Sequence, residues 1–220
     1  IQKPLTDKHK NIIIPNFIEF ISHCEKIETQ MYCEFNDFYK KKRFVNREVE
    51  PKRILIEEYN RYPLFRKEKN PFPDIDNWKN DYYKYYIGGK LYKQDKMEMC
   101  NCYMNILQWN IDYYFKGVRD YLYYYPYNCS PTLYDLLNFL KYNTITNEIV
   151  ENPPIEPEQQ LTIILPTTSH RHLKKNTLDY INDLKDCYPN HFKLLMWGKV
   201  YYHECIPILP KLDLERYKVF

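Results

Sequence analysis

LQWNIDYYFKGVRDYLYYYPYNCSP, from Leu107 to Pro131, is the stretch on which the reading of this sequence turns. Its first half continues an apolar stripe. Met99, Cys102, Ile106, Trp109 and Tyr113 follow one another at spacings of 3, 4, 3 and 4, the repeat of one helix face. The spacing predicts a helix over 96–116, stopped by Gly117. Residues 118–131 then crowd tyrosines around Pro126 and close on Pro131. A proline there is incompatible with a helix interior, so an ordered aromatic loop is expected. Residues 132–141 return to a helical pattern.

Upstream, Ile14, Phe17, Ile18, Ile21 and Cys24 carry the helical repeat, with Pro15 in the first turn. A second helix is expected from about 51 to 60. Pro63, Pro71 and Pro73 mark 61–75 as an extended connector. Asp74 or Asp76 is then the expected cap of a helix over about 76–87, stopped by Gly88-Gly89. Downstream, 142–157 is polar and Pro-rich and reads as a surface crossing. Leu161–Leu165 is an apolar run, short helices are expected near 168–185, and Cys205–Leu209 is strand-like. The fold class is therefore mainly α: an irregular helical domain with long ordered aromatic and Pro-rich loops and little β. One domain is favoured over two. The division drawn is 1–75, a helical segment with its Pro-containing connector, and 76–220. The first 60 residues are a candidate separate helical layer.

Composition narrows the function classes. The chain has 220 residues, with 24 Tyr, 11 Phe and 3 Trp but only 4 Gly. Few glycines argue against a Gly-rich phosphate loop or a β-sandwich built on tight turns. So many tyrosines point to a core of rings whose hydroxyls need partners. The net charge of +3 is too small for a basic nucleic-acid tail, which weakens a stand-alone RNA-binding module. With a mean hydropathy of −0.69 and no long apolar run, no membrane span or membrane partner is expected. The seven cysteines are odd in number and include no C-x-x-C pair. They read as reduced thiols of an intracellular protein, cytoplasmic or nuclear.

The motif quoted first resembles one of the Xrn family of 5′→3′ exoribonucleases. Leu107, Gln108, Trp109, Tyr113, Tyr114, Gly117, Tyr124, Tyr125, Pro126, Tyr127 and Pro131 occupy the family's positions, followed by Asp135-Leu136. Tyr82-Tyr83 with Gly88, PEQQLTIILP at Pro157–Pro166, Cys187-Tyr188-Pro189 with Phe192, Gly198-Lys199, and Ile208 to Asp213 with Arg216 follow the family's order. The departures are Tyr121 and Tyr123 for tryptophans, Asn128 for a histidine, Trp197 for an asparagine and Lys211 for a phenylalanine. Residues 1–75 show no specific match.

The resemblance implies that this chain is the second conserved region of such an enzyme. In that family the chemistry belongs to an N-terminal nuclease region, whose acidic cluster holds two magnesium ions. No such cluster is evident here, Asp74/Asp76 and Glu57/Glu58 being the nearest pairs. So the chain itself is assigned no catalytic residue, no metal ligand and no cofactor, with magnesium implied for the nuclease region. The partners implied are that region, in cis or in trans, and single-stranded RNA. The parent would degrade RNA from a 5′-monophosphate end, and this segment would wall its pocket. Trp109, Tyr113, Tyr124, Tyr125, Pro126, Tyr127 and Pro131 are the candidate wall, against the alternative that the rings only fill a core. Arg171, Lys174 and Lys175 are candidate RNA-backbone contacts, and Lys40–Arg43 a basic run that reads as a phosphate contact, a nuclear address or a solvated helix end. His170 and His172 are too poorly spaced on a helix to chelate. The alternative function is an inactive structural protein of a larger assembly, a viral one among them, that keeps the fold.

Overall fold

The computed structural model describes residues 3–147, 150–182 and 185–210. Asp213 and Arg216, which follow the family's order, and Lys211, which departs from it, lie outside them. The elements are α1 (Ile14–Lys41), α2 (Pro51–Asn60), α3 (Tyr62–Phe65), α4 (Trp78–Ile87), α5 (Lys93–Phe115), α6 (Leu133–Tyr142), α7 (Pro157–Ile164) and α8 (Lys175–Asn182). Short 3₁₀ turns lie at Thr167–His172, Lys185–Cys187 and Tyr202–Glu204. The one sheet among the described residues pairs β1 (Lys193–Leu195) antiparallel with β2 (Ile206–Ile208), Leu194 opposite Pro207. The protein is mainly α, as the periodicity predicts.

Long α1 organises the rest. Its apolar stripe predicts a buried face, and Ile21 indeed packs with Cys100 and Met104 of α5 and Leu136, Leu137, Phe139 and Leu140 of α6. About three and five turns on, Tyr32 and Tyr39 enter a second, aromatic core with Leu64, Phe72, Trp78 and Trp197. Tyr32 stacks on Trp78 at 4.7 Å, and Phe72 meets Trp197 edge-on at 4.5 Å. The first 60 residues are therefore no separate layer, because α1 supplies side chains to both cores. A third cluster holds Tyr83, Met99 and Cys129, with Tyr82, Tyr86, Tyr125 and Tyr127 around it.

Helix ends explain most boundaries. Pro15, Pro51 and Pro157 stand in the first turns of α1, α2 and α7, where a missing N–H costs nothing. α4 starts two residues later than expected. Asp74 is spent accepting the Asp76 N–H at 3.0 Å, and Asn77 occupies the cap position without a side-chain bond. α5 starts earlier, at Lys93, because the Asp95 carboxylate accepts the Tyr92 N–H at 2.7 Å. Gly117 follows α5 at φ +93°, its N–H on the Asp112 carbonyl; a side chain would resist that left-handed backbone.

The crossing at 142–147 is clamped to α5 by buried amides. Asn101 exchanges hydrogen bonds with the Thr146 N–H and hydroxyl, and Asn105 donates to the Thr146 carbonyl. The N-terminus of α6 is held from α1, where the Glu28 carboxylate accepts the Leu133 N–H at 2.5 Å and pairs with Lys79 at 2.9 Å.

Trp197 closes the aromatic core from the C-terminal side. Replacing it with Ala is expected to cost about 3–5 kcal/mol, read as a lowered urea midpoint. A loss below about 1 kcal/mol would remove this core from the account.

Candidate functional site

The motif's side chains converge on one junction. Tyr83 of α4 is 1% exposed. Its hydroxyl donates to Asp135 Oδ2 at 2.8 Å and accepts the Thr132 N–H at 2.8 Å. The Thr132 hydroxyl donates to the same Oδ2 at 2.9 Å, and Lys96 Nζ of α5 lies 3.2 Å from it. Lys96 also sits over the Tyr83 ring at 4.7 Å. One carboxylate thus ties α4, α5 and the start of α6. Beside it, the Tyr82 hydroxyl donates to the Ser130 carbonyl at 3.1 Å and the Tyr125 hydroxyl to the Cys129 carbonyl at 2.8 Å. Loop carbonyls that no secondary structure pairs are met by tyrosine hydroxyls, which satisfies both at once.

The loop's rings divide between inside and outside. Tyr123, Tyr125 and Tyr127 are half-buried and Pro131 is buried. Tyr121, Tyr124 and Pro126 face solvent. Tyr125 meets Tyr103 edge-on at 5.8 Å and packs tilted against Tyr127 at 5.4 Å. Trp109 is half-buried, donates from Nε1 to the Asp120 carbonyl at 2.9 Å and stacks on Tyr113 at 5.6 Å. Tyr113, Tyr114 and Phe115 emerge to solvent on the last turn of α5, so the stripe that starts buried at Met99 ends as an aromatic ledge. Seven proposed wall residues therefore form no single surface.

The basic candidates are exposed. Lys174 is already engaged, its Nζ 2.6 Å from Glu158 Oε2 and its N–H on Oε1. That pairing raises the Lys174 pKa and lowers that of Glu158. The Arg171 Nε–H donates to His172 at 3.3 Å, and Lys175 opens α8. His170 turns inward, its Nε2 3.1 Å from the Leu165 carbonyl and its ring edge-on to Tyr188.

The acidic pairs do not fit a two-metal centre. Asp74 is tied to its own backbone turn, and Glu57 pairs with Arg61 at 3.6 Å. Among the described residues, no three His, Cys, Asp or Glu side chains are grouped to hold a metal ion.

Three contributors escaped sequence reasoning: Lys96, Glu28 and Asp120. Asp120 is buried and accepts from the Asn152 side chain at 2.9 Å and the Leu122 N–H at 3.0 Å. Their cross-chain partners, Asn152 for Asp120, Asp135 for Lys96 and Leu133 for Glu28, lie 32, 39 and 105 residues away and leave no local signal, although a charged residue beside an aromatic run is a hint.

Burial pushes the Tyr82, Tyr83 and Tyr125 hydroxyls far above their ordinary range, Tyr86 up to about 12, Cys100 up to about 12 and Cys129 up to about 11. In the unfolded chain these groups ionise near their ordinary values, about 10 for tyrosine and about 8.5 for cysteine. Above those values the unfolded chain has lost protons that the folded chain keeps. Stability is therefore full below about pH 8.5 and falls as pH rises toward 12. A pH titration should show a late, cooperative rise in tyrosinate absorbance that coincides with loss of helical circular dichroism. Ionisation of every tyrosine near pH 10 with the helices intact would contradict the junction.

The comparisons agree with this geometry. The family model described as the Xrn1 helical domain matches residues 75–218. The 5′-3′ exoribonuclease 1 of Schizosaccharomyces pombe is 29% identical over 172 residues, which is 74% of this chain and 13% of that protein. The 5′-3′ exoribonuclease 1 of Homo sapiens is 29% identical over 151 residues, 65% of this chain and 8% of its own length. The 5′-3′ exoribonuclease 2 of Saccharomyces cerevisiae is 28% identical over 137 residues, 60% of this chain and 13% of its own. The chain thus spans roughly a tenth of the length of these relatives. With a matched segment that starts just before α4 and contains the whole Tyr83–Asp135 junction, the chain belongs to the Xrn1 helical domain family.

Proposed function

We propose that this chain is the helical, non-catalytic part of a 5′→3′ exoribonuclease that degrades single-stranded RNA from a 5′-monophosphate end inside the cell. The observation that carries the reading is the family match over 75–218, together with relatives named as 5′-3′ exoribonucleases. A nuclease region, in the same polypeptide or bound to it, supplies the acidic residues and magnesium. This chain packs against that region and walls the entrance to its pocket.

The division of rings assigns different tasks. Tyr82, Tyr83, Tyr123 and Tyr125 spend their hydroxyls on holding the fold. Tyr121, Tyr124 and the Tyr113–Phe115 ledge remain able to offer ring faces. Stacking on such faces favours unpaired bases and does not depend on sequence. A duplex end must open before its bases can stack there, so the wall selects single strands. Of the basic candidates, Arg171 and Lys175 are better placed for phosphate than Lys174, whose charge Glu158 already meets.

The test is hydrolysis by the full polypeptide that carries this chain, with magnesium, on single-stranded RNA bearing either a 5′-monophosphate or a 5′-hydroxyl. Nucleotides are expected to leave from the 5′ end of the monophosphorylated RNA alone. Tyr124→Ala removes one stacking face without touching the core. It is expected to weaken RNA engagement by about 1–3 kcal/mol, read as a raised KM at an unchanged thermal midpoint. Absence of hydrolysis would favour the alternative, a structural protein that keeps the fold. An unchanged KM would take Tyr124 off the wall.

A further inference from the structure

A cavity of about 510 Å³ lies between α5 and α6, within the roughly 300–1,000 Å³ usual for ligand sites. Met97 and Cys100 of α5 and Phe139 of α6 give it an apolar side, with Cys100 and Phe139 buried. Along α6, Tyr134, Asn138 and Tyr142 follow one another at spacings of four, and Asp135 stands three before Asn138. Residues three and four apart are neighbours on one helix face, and all four line the cavity. Lys93, the first residue of α5, lines it as well and is exposed.

Asp135 uses only one of its two oxygens for the fold. Tyr83, Thr132 and Lys96 all meet Oδ2. Oδ1 takes no hydrogen bond from the described residues. It is not among the buried atoms left without a partner, so it keeps surface open to a ligand. The Asn138 side chain is half-buried and likewise makes no hydrogen bond with the described residues. Its amide atoms are not among the buried ones either. A charged acceptor and an amide that can donate therefore stand one turn apart in the same cavity. Of the two rings beside them, Tyr134 is already met by Lys79, 4.8 Å from its centroid. Tyr142 is 80% exposed and meets no other ring among the described residues.

We propose that this cavity binds the guanine base of a nucleotide. The base lies against Met97, Cys100 and Phe139, and the Tyr142 ring stacks on its open face. Asp135 Oδ1 accepts from the N1–H and the N2 amino group, and the Asn138 amide donates to O6. Guanine is the RNA base whose pairing edge sets two donors beside one acceptor. A carboxylate oxygen next to an amide donor complements that edge, and a base lacking a donor leaves the carboxylate oxygen unmet. The phosphate falls to Lys93 and the first turn of α5, where the helix dipole favours an anion. The site does not rest on the exoribonuclease reading. Its guanine can come from a free nucleotide or from an RNA chain.

The experiment measures binding of guanosine 5′-monophosphate to the full polypeptide by calorimetry, with a chelator in place of magnesium. Inosine 5′-monophosphate lacks only the N2 amino group and should bind about tenfold more weakly, the loss of a hydrogen bond to a charged group. That comparison probes Asp135 without disturbing its bonds to Tyr83 and Thr132. Asn138→Leu should weaken guanosine monophosphate about fivefold, and Tyr142→Ala about tenfold. Both should keep the thermal midpoint, since neither side chain is tied to the fold by a hydrogen bond. Lys93→Gln should weaken the monophosphate and leave guanosine itself unaffected. No binding of guanosine monophosphate, or wild-type affinity in both Asn138→Leu and Tyr142→Ala, would overturn the site. Equal affinity for the guanosine, inosine and adenosine monophosphates would overturn the recognition of guanine. A single-stranded oligoribonucleotide with one guanine is measured alongside. Tighter binding of that RNA than of the mononucleotide, lost in Tyr142→Ala, assigns the guanine to an RNA chain, and the reverse order assigns it to a free nucleotide.

Discussion

A carboxylate mostly withdrawn from water has to be met by donors, and in this domain Asp135, whose side chain is 15% exposed, dictates who its neighbours are. Three donors reach its Oδ2: Tyr83 from α4, Thr132 from the end of the aromatic loop and Lys96 from α5. Removing one leaves a half-buried charge under-satisfied, which costs more than the hydrogen bond alone is worth. The same Tyr83 hydroxyl accepts the Thr132 N–H, so the loop cannot leave without opening the junction. From there the order spreads. The anchored loop places Cys129 and Tyr125 against α4 and α5, and α6, fixed at its start, presents Leu136 and Leu140 to α1.

Much of this was legible in the residues because local rules govern it. The stripe in α1 and the glycine after α5 act over a few residues, and both predict what forms. The start of α4 was misplaced because Asp74 caps a turn rather than a helix, and both uses suit the same side chain. The second half of α1's role, its share in the aromatic core, was not legible. Nothing local in Tyr32 or Tyr39 says that they meet Trp78 and Trp197, up to 165 residues away. The candidate wall was legible as a motif but not as a surface, since adjacent tyrosines in an extended loop point alternately inward and outward. Sequence order recorded that these residues matter together, and the hydroxyl bonds to loop carbonyls show why.

The family motif is, on this account, mostly a device for folding. Its inward tyrosines each combine a large apolar ring with one hydrogen bond at the rim, which lets a loop poor in glycine be buried without orphaned carbonyls. The outward rings are what the proposed function leaves for a partner or a nucleic acid. The proposed function adds a division of labour in which a helical frame presents rings and the acids that would hold metal ions lie in another region.

That division is the central claim, and amidation of this chain's acidic pairs tests it most directly. In the full polypeptide, Glu57 and Glu58 become Gln and Asp74 and Asp76 become Asn. Magnesium-dependent hydrolysis of 5′-monophosphorylated RNA is then compared with the unmodified protein. The account predicts a rate unchanged within about twofold, since Asp74 only caps a turn and Glu57 only pairs with Arg61 on the surface. A fall of about a hundredfold or more, the scale expected when a metal centre loses a needed group, would place the chemistry inside this chain and contradict it.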